Sequence, residues 1–199
     1  MASRAGSSKT PRPRRSRPYP SPSAAYASSS PVMYLRALSN LVPPRSYSQQ
    51  EQWEIFRRSR LAGTLKPRSI ELVEKVLLGN SGIDKRHFAL EDVERLFDLD
   101  AESLNRAFER EAPALASQAL ENAFRTSGLD PTELDGLVVC TCTGYICPGV
   151  SSYVAERCGL RQDAILLDVV GLGCGAAIPS LRTASQILAA EPDSRVAVI

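Results

Sequence analysis

Cys174 lies in Asp168-Val-Val-Gly-Leu-Gly-Cys174-Gly-Ala-Ala-Ile-Pro179, between glycines, where an apolar β-branched run gives way to one rich in Ala, Leu and Ile. The pattern is that of a strand, a tight turn and a helix, with the thiol at the join. The leading N–H groups of a helix lack intrahelical partners and sum to a partial positive charge. That charge favours thiolate over thiol, and the same donors suit a developing oxyanion. Gly171, Gly173 and Gly175 leave room for a substrate and allow backbone angles closed to β-branched residues. Pro179 is tolerated in the first helical turn, where a missing N–H costs nothing. The competing reading is a small cysteine packing helix against sheet, since free Cys is among the most buried residue types. A phosphate loop fits less well, because the third glycine of a dinucleotide fingerprint would fall at Ala176.

The elements that must position Cys174 follow from hydrophobic period and punctuation. Strands are expected at Gly136 to Cys142, Ala164 to Val170 and Arg195 to Ile199, alternating with helices at Ser151 to Glu156 and Ala176 to Ala189. This alternation is an α/β layered pattern. Upstream, Val32 to Ser39 reads as a first strand ending at Pro43-Pro44. Ser48-x-x-Glu51 is a capping box for a helix through about Arg60. A second helix is expected over Ser69 to Leu78, where Ile70, Val73, Val76 and Leu77 keep a helical period and Gly79-Asn80 ends it. A short strand at Lys85 to Ala89 precedes a helical turn at Glu91 to Phe97. Ala101 to Ser127 is helical by propensity, with Pro113 expected to split or kink it and Gly128 to stop it. This long helix is expected to lie under the floor of the site.

Cys140, Cys142, Cys147 and Cys158 give C-x-C-x4-C-x10-C, which contains no C-x-x-C pair, so a zinc site is a poor fit. Five cysteines, an odd count without a secretory signal, favour free thiols in a reducing, cytoplasmic setting. Cys140 and Cys142 are expected to share one strand face, with Thr141 and Thr143 on the other. The one histidine, His87, falls in the early strand and reads as an ordinary part-buried side chain.

An apolar fraction of 43% and a charged fraction of 23% over 199 residues suit one globular domain plus a tail, and no apolar run approaches a membrane span. Residues 1–50 hold eight of the 24 basic residues and no acidic one. The remainder therefore carries 16 basic against 22 acidic residues, a net −6 that argues against a nucleic-acid partner. Residues 1–31, rich in Ser, Pro and Arg, are expected to form a disordered basic leader ahead of a domain over 32–199. An organelle transit peptide has a similar composition, although five prolines between Pro11 and Pro22 oppose its amphipathic helix. Met33 is an alternative start.

Gly136-Leu-Val-Val-Cys-Thr-Cys-Thr-Gly-Tyr-Ile-Cys-Pro-Gly-Val150, Tyr153-Val-Ala-Glu-Arg-Cys-Gly-Leu160 and the Cys174 segment together resemble the type III polyketide synthases. This is the chalcone synthase-like branch of the thiolase superfamily. Gly82-Ile-Asp-Lys-Arg-His-Phe88, Leu129-Asp-Pro-Thr-Glu-Leu-Asp-Gly136 and Tyr34 to Ser48 extend the resemblance over about residues 32–199. It implies a thiolase-like layered fold (αβαβα), of which this chain is the N-terminal half-fold. It further implies an acyltransferase whose cysteine, here Cys174, is loaded from an acyl-CoA and extended by decarboxylative condensation with malonyl-CoA.

Cys142 and Thr143 then fall at the pocket-lining Thr-Ser pair of plant chalcone synthases, and Cys147 at a residue reaching across a homodimer interface, with Cys147-Pro148 a cis candidate. The resemblance implies no cofactor beyond the coenzyme A thioesters that serve as substrates. The family's histidine and asparagine match no position here. Val196-Ala-Val-Ile199 also ends as an uncovered strand. Two alternatives stand beside this reading: a β-ketoacyl-acyl-carrier-protein synthase III-like condensing enzyme, and a non-catalytic product of a truncated or split gene.

Overall fold

Leu137, Val138 and Val139 are wholly or almost wholly buried, so the strand that carries them must be covered on both faces. In the computed structural model, which describes residues 33–80 and 82–199, that strand is β3 (Gly136–Thr141). It is the middle of a parallel sheet, flanked by β4 (Ile165–Val170) and β5 (Val196–Val198). The connections between these strands are α5 (Val150–Cys158) and α6 (Ala177–Ala190). Leu137 and Val139 join Val150 and Val154 of α5, and Ala116, Leu120 and Phe124 of α4 (Ala101–Ser127), in one apolar cluster. Val138 alternates to the opposite face, where α6 packs on β3 and β5. This is the expected α/β layering. At the start of the sheet Asp135 accepts from the Arg195 N–H (2.8 Å) and pairs with Arg161 (2.9 Å).

α4 runs through Pro113 without a break, so the expected split does not occur. A proline removes one rung of the helical ladder, but Pro113 is fully buried and the helix is fixed at both ends. Asp100 Oδ1 accepts from the Ser103 N–H at 2.7 Å, and Gly128, at φ 72°, closes the other end by donating to the Phe124 carbonyl at 2.8 Å. Core packing along Ala116, Leu120 and Phe124 outweighs the lost bond.

The first strand is displaced from its expected position. Residues 33–43 hold no regular structure, and β1 is Arg45–Ser48, paired antiparallel with β2 (Lys85–Phe88). Apolar content alone does not make a strand. Met33, Tyr34, Leu35 and Leu38 are exposed, and Pro43-Pro44, lacking N–H donors, separates them from the ladder. Ser48 then caps α1 (Gln49–Arg58) through the expected reciprocal box, its Oγ accepting from the Glu51 N–H at 3.1 Å. After the short α2 (Arg60–Thr64), α3 (Pro67–Leu78) covers the expected second helix, although Val76 of its apolar set is exposed. The leader expected over residues 1–31 lies outside the described residues.

Candidate functional site

In a parallel sheet every strand delivers its C-terminal end to the same edge, and β3 and β4 run level there, Thr141 pairing with Val170. From β4 the chain passes Gly171 (φ 78°), Leu172 and Gly173 (φ 61°) into a 3-10 turn, Gly173–Ala176, and then into α6. The two positive φ values lie in the left-handed region that glycine enters without strain. They curl the chain back so that Cys174 lies across the end of β3. Cys174 is exposed, as is Cys142, one residue past β3, and their Sγ atoms stand 4.0 Å apart. The strand, turn and helix order is the expected one. Cys174 itself occupies the 3-10 turn, three residues ahead of α6, and the α6 N-cap, Ala176, supplies no side-chain acceptor to the leading N–H groups. The Cys142 thiol is pushed above its ordinary value, first by its hydrogen bond to Cys174 and then by electrostatic repulsion between the two side chains.

Cys142 lies beyond the strand, so the expected sharing of one face with Cys140 does not apply to it. It opens a loop pinned from below at two glycines. Thr141 Oγ1 donates to the Gly144 carbonyl at 3.2 Å, and a Cβ at Gly144 would overlap the Phe108 ring of α4. The long helix thus floors this loop. At the far end a Cβ on Gly149 would overlap the Asp168 carboxylate. Ile146 is buried between these points, while Thr143 and Cys147 are exposed and the Cys147-Pro148 bond is cis. The structure therefore brings Cys142 to Cys174, and leaves Thr143 and Cys147 on the loop surface without a hydrogen bond to either thiol among the described residues.

Asp168 was not singled out by the sequence. Its Oδ1 accepts from the Ser151 N–H at 3.1 Å and its other oxygen accepts from the Ser151 hydroxyl, so β4 supplies the acceptor that α5 lacks at its own N-terminus. The available signal was one carboxylate inside Ile-Leu-Leu-Asp-Val-Val, because a charge within a packed strand requires a partner. His87 binds the Pro43 carbonyl through Nδ1 at 2.8 Å, a structural contact of the two-stranded sheet. All five cysteines are free, and burial raises the Cys158 thiol. Among the described residues no group of His, Cys, Asp and Glu is placed to hold a metal.

Comparison with known proteins bears on the same segments. A family profile described as FAE1/Type III polyketide synthase-like protein matches residues 29–199. A 1,3,6,8-tetrahydroxynaphthalene synthase of Streptomyces griseus is 23% identical over 158 residues, which cover 79% of this chain and 41% of the relative. Its counterpart from Streptomyces peucetius subsp. caesius is 29% identical over 164 residues, 82% of this chain and 42% of the relative. The chain thus spans less than half the length of these curated relatives. The crystal structure of a fungal type III polyketide synthase, ORAS, superposes with a TM-score of 0.70 at 23% identity, covering 82% of this chain and 44% of that one. The architecture is accordingly thiolase-like.

Proposed function

The chain belongs to the FAE1/type III polyketide synthase-like family, and from that premise we propose that it carries the acylation site of a polyketide-forming condensing enzyme, with Cys174 as nucleophile. The observation that carries this reading is the exposed Cys174 thiol, presented by a glycine turn at the C-terminal edge of a parallel sheet. In the loading step the Cys174 thiolate attacks the carbonyl of an acyl-CoA. The tetrahedral oxyanion collapses, the C–S bond to coenzyme A breaks, and coenzyme A leaves as a thiolate while the acyl group stays on Cys174. N–H groups of the turn and of α6, unclaimed by a side-chain cap, are the donors at hand for that oxyanion. In the extension step malonyl-CoA loses carbon dioxide, and its carbanion attacks the Cys174 thioester. The bond between the acyl carbon and Cys174 Sγ breaks, which leaves a β-ketoacyl-CoA two carbons longer and returns Cys174 as a thiolate.

Cys142 and Thr143 line the acyl pocket in this reading, and Cys147 faces a second copy in a homodimer acting in the cytoplasm. No cofactor is required beyond the coenzyme A thioesters. By the same resemblance the histidine and asparagine that serve the extension step match no position in this sequence, so the chain by itself is loaded and does not condense. The test is intact-protein mass measurement of the chain after incubation with an acyl-CoA and with malonyl-CoA. We expect one acyl adduct, mapped to Cys174 and absent from Cys174→Ala, with no pyrone or resorcinol product. Failure to load, or an adduct that survives in Cys174→Ala, refutes the nucleophile assignment. A released polyketide product refutes the restriction to loading. Loading only from an acyl-carrier protein supports the β-ketoacyl synthase alternative.

A further inference from the structure

Two nucleophilic side chains meet at the sheet edge where a single one suffices for loading. Cys142 Sγ stands 4.0 Å from Cys174 Sγ, although 32 positions separate them in sequence. Both thiols are exposed and therefore open to a small co-reactant. Neither residue is held in the ladder, since β3 ends at Thr141 and β4 at Val170. The stretch between β4 and Cys174 contains two glycines in the left-handed region, Gly171 and Gly173, and a Cβ at either would meet nothing within 4 Å. Side-chain rotation and a small loop shift can therefore bring the sulfurs to the bonding distance of about 2 Å. Cys140 differs: it is only half-exposed and is fixed in β3 opposite Val169.

We propose that Cys142 and Cys174 form a thiol–disulfide exchange site whose co-reactant is a low-molecular-weight disulfide of the glutathione type. One protein thiolate attacks a sulfur of oxidised glutathione, forming a mixed disulfide and releasing one glutathione thiolate. The neighbouring protein thiolate attacks the protein-side sulfur of that mixed disulfide, and the second glutathione leaves. Two protein thiols give up two electrons and two protons, and one glutathione disulfide becomes two thiols. Closure removes Cys174 from nucleophilic chemistry, and reduction restores it. The consequence for acylation rests on the function proposed above, whereas the bond itself does not.

The experiment uses the full chain and no coenzyme A thioester, so it separates this inference from the loading reaction. The chain is equilibrated with oxidised glutathione, quenched with an alkylating agent, and analysed intact and after trypsin. The expected result is an oxidised chain that takes up about two fewer alkyl groups than the reduced chain and, with those groups subtracted, is about 2 Da lighter. Dithiothreitol added before the quench reverses both, and alkylation of Cys174 falls on the order of tenfold. Peptide 126–157, which contains Cys142, should be joined to peptide 162–182, which contains Cys174. Because 126–157 also contains Cys140 and Cys147, the cross-link must persist in Cys140→Ser and Cys147→Ser and vanish in Cys142→Ser, which instead keeps a glutathione adduct on Cys174. A wild-type chain that accumulates only glutathione adducts overturns the proposal. So does a 126–157 to 162–182 cross-link that survives Cys142→Ser.

Discussion

Asp168 carries two of the hydrogen bonds that hold the site together, both from Ser151, a residue only 2% exposed. Removing the acceptor leaves a buried N–H and a buried hydroxyl unpaired, a larger loss than that of an ordinary surface bond. Asp168→Ala is expected to destabilise the chain by about 2–3 kcal/mol. Ser151→Ala, which leaves the carboxylate its backbone partner, should cost about 1 kcal/mol. Urea denaturation of the two variants and of the double mutant measures this, and additivity of the two costs would show that the residues do not act as a pair. The residue scale is also where the sequence was least informative. The turn that presents Cys174 was readable because it is local. The contact with Cys142 and the cap from Asp168 to Ser151 depend on the pairing of β3 with β4 and on the packing of α5, which no window of neighbouring residues encodes.

The turn between β4 and α6 can be tested apart from its thiol. Gly173 and Gly175 flank Cys174 and both face open space, but only Gly173 has a positive φ. A Cβ at Gly173 therefore forces left-handed backbone on an L-residue, at about 1–2 kcal/mol, or flips the turn and carries Cys174 away from Cys142. Gly173→Ala is expected to lower stability by that amount and to slow acyl loading, while Gly175→Ala should stay within about 0.5 kcal/mol of the parent. Denaturation midpoints and loading rates measured on both variants check this, and equal effects would contradict the backbone argument. Elements closed by local signals were legible from sequence: the Ser48 and Glu51 box, the Gly128 stop, and the alternation of β3, α5, β4 and α6. Those decided by distant partners were not. Residues 33–39 are apolar enough for a strand but have no ladder partner, and Pro113 breaks a helix by propensity but not within a packed core.

Across the whole molecule several helix starts depend on carboxylates. Hydrogen bonds from Ser48 hold Glu51 below the usual range. Those from Ser103 do the same for Asp100, and those from Thr132 for Asp130. A carboxyl whose folded-state value is depressed is protonated more readily in the unfolded chain, so stability rises with pH wherever the unfolded state holds more protons. The contribution is complete above the ordinary values, 4.5 for Glu and 3.8 for Asp, and is lost as pH falls through the lowered folded values. The urea midpoint should therefore stay level from about pH 7 to about pH 5 and fall below that. General charge repulsion in acid produces a similar decline, so the cap must be separated from it. Asn is as good an N-cap as Asp but does not titrate. Asp100→Asn is thus expected to keep the midpoint near neutral pH and to flatten its decline in acid. An acid limb identical to that of the parent would show that the Asp100 cap contributes nothing to the pH dependence.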